Sequence, residues 1–165
     1  MELYLVRHAM EVDHGQISAD ADRALSDNGR RRMERATESW RAIGVAVDGI
    51  LSSPFVRAMQ TAEIAGKALG IADRIEACPR LAAGASPDDI IELLGERCDD
   101  DHRVMVVGHE PDLGRLVSLL VCGDDRAGFR MKKGGLTKLT VDHLEVDRCA
   151  VLEFHLWPRH LVRMS

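Results

Sequence analysis

An arginine and a histidine stand at the end of the first apolar run of the chain. Residues 3–6 (L-Y-L-V) predict a short buried β-strand, and Arg7 and His8 follow it directly. A second apolar segment precedes the helix that carries Arg57, and a third ends just before His109. Ligands of open α/β sheets bind at the carboxyl ends of the strands. We therefore expect these four side chains to converge on one crevice.

The chemistry that these side chains suggest is phosphoryl transfer. The planar fork of arginine suits bidentate binding of phosphate oxygens, and helix N-termini after Pro54 and Glu110 would add N–H donors. Imidazole is a competent nucleophile toward phosphorus, and histidine can carry a covalent intermediate. The reaction needs mainly in-line positioning and charge neutralisation, which two arginines and a second, protonated histidine supply without a metal. The first strand would thus end in Arg-His because its carboxyl end forms the bottom of an active site.

The elements that must position these residues alternate between strand and helix. Strands are expected at 3–6, 49–52, near 75, 103–107, 136–141 and 150–156, and helices begin near 26, 56, 86 and 113. This alternation favours a three-layer α/β/α domain with a mostly parallel central sheet. The first helix is expected to end near Gly44. The sequence leaves open whether the tail from Arg159 to Ser165 is ordered.

Composition excludes several classes of protein. The 165 residues are 45% hydrophobic and 30% charged, which predicts one globular domain spanning 1–165. A formal net charge of −5 argues against a general nucleic-acid-binding protein, because such proteins need a basic face. The four cysteines lie far apart without a C-x-x-C pair, so we expect reduced thiols and no zinc site. The sequence shows no signal peptide or membrane-spanning run, which predicts a cytoplasmic protein that binds no membrane. A monomer is expected.

Three motifs together resemble the histidine phosphatase superfamily, whose fold is phosphoglycerate mutase-like. They are L-V-R-H-A at 5–9, S-S-P-x-x-R-x-x-Q-T-A at 52–62 and V-G-H-x-P at 107–111. Further similarities are R-x-L-S-x-x-G at 23–29 and a closing strand that runs through Trp157-Pro158. The spacing and compact length look most like the SixA-type phosphohistidine phosphatases, and the resemblance covers essentially the whole chain.

The resemblance implies a role for each core residue. His8 would be the phosphorylated nucleophile. Arg7 and Arg57 would clamp the phosphoryl oxygens, and His109 would complete the pocket as a charged hydrogen-bond donor.

The remaining motif residues would support this core. Ser52 would contact the substrate and, with the two residues after it, shape the turn that presents the arginine helix. Gln60 and Thr61 would pack behind the arginine on the same helical face, and Gly29 would mark a structural position. Arg23 either reaches the mouth of the pocket as a substrate ligand or is a solvated loop arginine.

Two departures from the family pattern bear on the chemistry. The usual R-H-G appears here as R-H-A, a small change because alanine has the next smallest side chain. The segment at 78–84, where larger members place an acidic proton donor, has no carboxylate. Glu110 is then a candidate proton donor, with Asp13, Asp20 and Asp22 of the first loop as alternatives.

The missing acid also bears on the substrate. A general acid is most needed for a poor leaving group, whereas the imidazole of phosphohistidine carries its own proton near neutral pH. Only residues 11–25 and 78–86 are placed to cover the site, which leaves a shallow crevice for a side chain displayed on another protein. We therefore predict a phosphatase without metal or cofactor that acts on protein phosphohistidine through an intermediate on His8. A small-molecule phosphatase of the same fold and a non-catalytic phosphate-binding domain are the alternatives.

Overall fold

A six-stranded β-sheet forms the centre of the protein in the computed structural model, which describes residues 1–13 and 19–164. The elements, in chain order, are β1 (Glu2–Arg7), α1 (Asp27–Glu38), β2 (Gly49–Ser52), α2 (Val56–Leu69), β3 (Ile75–Ala77), α3 (Pro87–Arg97), β4 (Arg103–Gly108), α4 (Asp112–Cys122), β5 (Leu136–Val141), β6 (Ala150–Leu156) and α5 (Pro158–Met164). Single 3₁₀ turns occur at Asp20–Asp22 and Pro79–Leu81. Part of the predicted cover at 11–25 lies outside the described residues. Within the described ranges, no helix is long and apolar enough to cross a membrane.

The strands lie in the order β3-β2-β4-β1-β5-β6. The first four in this order run parallel, and β5 and β6 add an antiparallel hairpin beside β1. The prediction of a mostly parallel sheet is therefore confirmed. The chain passes from β1 to β2 and β3 and then returns to place β4 beside β1. The connections that leave β1 and β4 therefore run in opposite directions along the sheet. Open α/β sheets bind their ligands beside such a pair of strands.

Helices cover both faces of the sheet and make it the middle of three layers. Along β1, Leu3 and Leu5 pack with residues of α3 and α4, whereas Tyr4 and Val6 pack with residues of α1, α2 and α5. All four side chains are fully buried. Packing on both faces holds β1 rigidly and thereby fixes its last residue, Arg7, at the edge of the core.

Helix α1 begins where the sequence predicts but ends earlier. The hydroxyl of Ser26 caps its N-terminus. The helix ends at Glu38 and not near Gly44, because the hydroxyl of Ser39 bonds a carbonyl of the last turn and competes with the helical ladder. The next residue, Trp40, is fully buried and continues the chain into the core as a turn.

The C-terminal segment, whose order the sequence leaves open, is helical. Residues Pro158–Met164 form α5, which packs against α1. Leu161 is fully buried and Val162 packs against the same cluster, so these two apolar side chains dock the helix. Ser165 lies outside the described residues.

Candidate active site

Two histidines stand side by side at the carboxyl ends of β1 and β4. The parallel register pairs Arg7 with Gly108, and the N–H of His8 donates to the carbonyl of Gly108 at 3.0 Å. His8 and His109 therefore leave neighbouring strands at the same level, with ring centroids 5.2 Å apart. Strand β2 ends next to β4, where the backbone N–H of Ser53 donates to the carbonyl of Val107 at 2.9 Å. The three predicted strand ends thus form one site.

The imidazole of His8 is held as a neutral ring with one nitrogen available. Its Nδ1 lies 2.8 Å from the carbonyl oxygen of Ala9. Because a carbonyl only accepts, Nδ1 carries the hydrogen and Nε2 carries the lone pair. Burial lowers the pKa of His8 to about 4, and Arg57 and Arg7 act in the same direction. His8 therefore has the protonation state of a nucleophile at neutral pH.

His109 is oriented by Ser53. The Nε2 of His109 lies 2.7 Å from the hydroxyl of Ser53, and that hydroxyl accepts the backbone N–H of Phe55 at 3.3 Å. Because the Ser53 oxygen already accepts one hydrogen bond, we infer that its hydrogen goes to Nε2 of His109, which leaves Nδ1 of that ring as the N–H donor. Burial lowers the pKa of His109 to about 3, with His8 and Arg57 acting in the same direction. The charged His109 expected from the sequence is thus wrong for the free site, because its neighbours are cationic and its ring is desolvated; the neutral ring still donates through Nδ1.

The two arginines lie close to the histidines and are tethered by other groups. Nη1 of Arg7 donates to the carbonyl of Met131 at 2.9 Å. Arg57 is only 5% exposed, and its two Nη atoms donate to the backbone carbonyl and the carboxylate of Asp20 at 2.6 and 2.7 Å. Its guanidinium also lies over the ring of Phe55, 5.0 Å from the centroid. These contacts fix both guanidinium groups before any substrate binds.

Three buried nitrogens of this site have no hydrogen-bond partner among the described residues. They are Nε of Arg7, Nε of Arg57 and Nδ1 of His109. A buried N–H without an acceptor is costly, so such groups are rare in native proteins. Three of them around one neutral histidine form the pattern of an anion-binding site.

Comparison with known proteins agrees with this geometry. Residues 3–83 match the family model of the histidine phosphatase superfamily (branch 1). An uncharacterised protein of Picosynechococcus sp. is 33% identical over 142 residues, which cover 84% of this chain and 84% of that relative.

The chain belongs to the histidine phosphatase superfamily.

Two further relatives place this histidine phosphatase near the SixA type. The phosphohistidine phosphatase SixA of Escherichia coli is 27% identical over 126 residues, which cover 75% of this chain and 76% of that protein. The solved structure of the protein histidine phosphatase SixA complexed with tungstate matches with a TM-score of 0.82 at 23% identity, covering 98% of this chain and 99% of that one. The predicted family, its SixA-type character and the phosphoglycerate mutase-like fold are confirmed.

A buried carboxylate that the sequence analysis did not select lies behind the nucleophile. Oε2 of Glu11 is 3.6 Å from Nδ1 of His8, and both side chains are almost completely buried. Its other oxygen pairs with Lys133 at 2.6 Å and Arg23 at 3.2 Å. Burial, the largest single effect, raises the pKa of Glu11, but Lys133, a backbone hydrogen bond and His8 together outweigh it and hold the pKa below its usual value. The position of Glu11, three residues after His8, is the only feature of the sequence that indicates a place in the site.

Arg23 and Asp20 connect this carboxylate to Arg57. Arg23 donates to the carbonyl of Val12 and to the carboxylate of Asp20, and its side chain is only 12% exposed. The solvated alternative for Arg23 is therefore wrong, since these acceptors bury it. The Arg57 guanidinium holds the pKa of Asp20 at about 2, so Asp20 is ionised in the free site. The other two loop carboxylates named as alternative proton donors, Asp13 and Asp22, are exposed.

Two residues predicted to act on the substrate are engaged with the protein. The hydroxyl of Ser52 donates to the carbonyl of Ser53 at 3.0 Å, whereas the hydroxyl of Ser53 contacts His109. Glu110 accepts the backbone N–H of Met131, the residue whose carbonyl accepts from the first active-site arginine. The roles of Ser52 as a substrate ligand and Glu110 as a proton donor stay predictions.

Two supporting residues from the motifs join the elements around the nucleophile. The hydroxyl of Thr61 accepts the N–H of Ala9 at 3.0 Å and donates to the carbonyl of Arg57 at 2.7 Å, which ties α2 to the loop after His8. Gly29 packs directly against the backbone of Met10, where a β-carbon would lie 2.0 Å from the carbonyl oxygen. Both residues position the chain that carries His8.

The described residues contain no group of three or more His, Cys, Asp or Glu side chains that could hold a metal ion. Arg7 and Arg57 act on the pKa of His8 as positive groups. The nearby carboxylate of Glu11 is already paired with Lys133 and Arg23, and that of Asp20 with Arg57. The site is therefore built to receive an anion, and its arginines are the groups placed to neutralise it.

Proposed function

We propose that this histidine phosphatase is a metal-independent phosphatase that transfers a phosphoryl group to Nε2 of His8 and then to water. The observation that carries the proposal is the set of three buried, unpartnered nitrogens on Arg7, Arg57 and His109, next to a neutral His8. Three N–H donors match the three non-bridging oxygens of a phosphoryl group.

The reaction takes place in two displacements. In the first, the Nε2 lone pair of His8 bonds to phosphorus while the bond from phosphorus to the leaving atom breaks, and the leaving group takes that electron pair. In the second, water attacks phosphorus, the bond to Nε2 breaks, and the products are inorganic phosphate, a proton and neutral His8. Arg7, Arg57 and His109 stabilise the charge on the oxygens in both steps. The carbonyl of Ala9 keeps Nδ1 protonated, which fixes the ring and leaves Nε2 as the nucleophile.

Protein phosphohistidine is the substrate that we favour. When the P–N bond breaks, imidazole departs with its own proton near neutral pH, so no strong general acid is required. The described residues of the site hold no carboxylic acid with a raised pKa beside His8: Glu11 and Asp20 are both shifted toward the ionised form. The names of the SixA relatives, one a phosphohistidine phosphatase and one bound to the oxyanion tungstate, support the same choice.

The remaining assignments belong to the same proposal. Ser52 and Arg23 are proposed to support substrate binding, Glu110 is the candidate proton donor, and no cofactor takes part. We propose that the enzyme is a single domain over 1–165 that acts as a monomer in the cytoplasm on a phosphorylated partner protein, and that it binds neither nucleic acid nor membrane.

The test is phosphate release by the purified protein in chelator, measured by acid quench. A carrier protein phosphorylated on histidine is compared with a panel of metabolite phosphates, and His8→Ala with the exposed-histidine control His143→Ala. We expect release from the carrier with the wild type and the control and none with His8→Ala. Release from one metabolite alone would overturn the substrate, and release by His8→Ala at the wild-type rate would overturn the mechanism.

A further inference from the structure

A cavity of about 580 Å³ lies beside the catalytic residues and shares only Arg7 with the groups of the proposed reaction. Its lining begins at Arg7 and Ala9, the residues on either side of His8 in the chain. Helix α1, the loop before β5 and the start of α5 complete it. We call it the basic cavity and define it by the residues used below: Arg7, Arg32, Lys132, Lys133, Trp157 and Arg159.

The charge of the basic cavity is opposite to that of the whole chain. Five of its lining residues are lysine or arginine, and none of the described lining residues is acidic. The chain as a whole carries a formal net charge of −5. A concave surface lined by one sign of charge focuses its field and attracts ligands of the opposite sign.

Three of these cations have no acidic partner in the described structure. Lys133 pairs with Glu11, but Arg32, Lys132 and Arg159 form no ion pair with a described carboxylate. Lys132 and Arg159 instead lie against the ring of Trp157, with the ammonium 5.3 Å and the guanidinium 4.5 Å from its centroid. The indole thus supports both cations while leaving their charges available to an incoming anion.

The wall between the cations is apolar. Met10, Met33, Trp157 and Pro158 line the cavity together with the basic residues. A ligand that fits this lining combines negative charge with an apolar side chain. An acidic segment of a protein has this chemistry, and the volume lies in the range of sites that hold side chains or small ligands.

We propose that the basic cavity binds the acidic segment that flanks the phosphohistidine on the partner protein. The inference rests on the proposed function. A histidine side chain is short, so the backbone of the partner must come close to His8, and the residues next to its phosphohistidine then lie over the adjacent cavity. The cavity would select among phosphoproteins by charge, and the catalytic residues would act on whichever phosphoryl group is presented.

Two adjacent arginines of α1 provide a matched test, because both are exposed but only Arg32 lines the cavity. Arg32→Glu and Lys132→Glu are compared with Arg31→Glu on two substrates. One is a histidine-phosphorylated carrier protein with acidic residues next to the phosphohistidine, and the other is free phosphohistidine. We expect Arg32→Glu and Lys132→Glu to raise KM for the carrier about tenfold at low salt, and salt to diminish the difference. Turnover of free phosphohistidine stays unchanged in all three variants.

The outcomes separate this inference from the proposed function. When the acidic residues that flank the phosphohistidine of the carrier are replaced by lysine, Arg32→Glu should have a lower KM for it than the wild type. That result would confirm the charge pairing. An equal effect of Arg31→Glu and Arg32→Glu on the carrier would overturn the inference, as would an unchanged KM. A raised KM for a doubly anionic metabolite with no change for the carrier would also overturn it. If the wild type hydrolyses neither phosphohistidine substrate, the substrate assignment of the proposed function fails, and this inference fails with it.

Discussion

Oε2 of Glu11 lies 3.6 Å from Nδ1 of His8, and that oxygen has no hydrogen-bond partner among the described residues. The contact is too long for a hydrogen bond with the neutral ring, whose Nδ1 hydrogen goes to Ala9. When Nε2 binds phosphorus, however, the imidazole becomes a cation. Glu11 is then the nearest described counter-charge, held in place by Lys133. We infer that Glu11 positions and stabilises the phosphorylated ring and does not contact the substrate.

Glu11→Gln should lower kcat with little change in KM. The loss of one charge interaction of about 1.4 kcal/mol corresponds to a decrease of about tenfold. The Glu11 charge also raises the pKa of His8, so its removal should move the acid limb of the pH–rate profile to lower pH. Steady-state kinetics across a pH series measures both effects.

Glu2→Gln is the matched control, because Glu2 forms an ion pair with Lys138 on β5, away from the site. This variant should keep the wild-type kcat and pH profile. A Glu11→Gln enzyme that loses activity without any shift of the acid limb would indicate a structural role only and would contradict the inference.

Ser53→Ala should weaken phosphate binding through His109. Without the hydroxyl, nothing in the described site fixes which ring nitrogen of His109 carries the hydrogen, so Nδ1 no longer donates reliably. The loss of one hydrogen bond to a charged group, about 1.5–3 kcal/mol, predicts a kcat/KM lower by a factor of about ten to a hundred. Inhibition by tungstate, an oxyanion, should weaken in parallel. Thr140→Ala, which removes a hydroxyl bonded to Glu153, is the control, and equal losses in the two variants would contradict this role.

The pH dependence of the wild type should reflect the burial of His8. Protonation of Nε2 removes the lone pair, so activity is present above the pKa and is lost as the pH falls through it. Because burial lowers that pKa to about 4, kcat/KM should stay level well below pH 6.5 and decline only near pH 4. The substrate should be one that does not itself titrate in this range. A break near 6.5, with the protein still folded by circular dichroism, would contradict the assignment.

Gly29→Ala should destabilise the fold and reduce activity indirectly. A β-carbon at Gly29 would lie 2.0 Å from the carbonyl oxygen of Met10, so α1 or the loop after His8 must move. Overpacking of this kind costs about 1–3 kcal/mol in the free energy of unfolding.

Gly95→Ala on α3 provides the opposite control, because nothing lies within 4 Å of its added β-carbon. There the substitution should stabilise the helix by about 0.5–1 kcal/mol. Chemical denaturation measures both variants. A Gly29→Ala protein as stable as the wild type would show that the contact with Met10 is not close.

The sequence predicts the strands, most helices and the four core residues because each of these is encoded locally. An apolar run followed by a polar residue marks the end of a buried strand. The spacing of the motifs along the chain indicates which of these polar residues belong to one site. The juxtaposition of His8 and His109 follows once β1 and β4 are taken as parallel neighbours.

Features that depend on distant parts of the chain are not predictable in this way. Glu11 is bonded to Lys133, which lies 122 residues away, and nothing near Glu11 indicates that partner. The same holds for the basic cavity, which α1, the loop before β5 and α5 form together. The neutral state of His109 depends on burial among cations, whereas the sequence shows only that a histidine is present. The contact of Ser53 with His109 depends on which way its hydroxyl points at the end of β2, which the sequence does not show.

Detection of the phosphorylated enzyme is the decisive experiment for the proposed intermediate on His8. The wild type is mixed with a histidine-phosphorylated carrier, quenched at alkaline pH, where phosphohistidine survives, and analysed by mass spectrometry of the intact protein and its peptides. We expect the added mass of one phosphoryl group on the peptide that contains His8, and none in His8→Ala. A phosphoryl group on another residue, or full turnover with no phosphorylated His8 at any quench time, would contradict it.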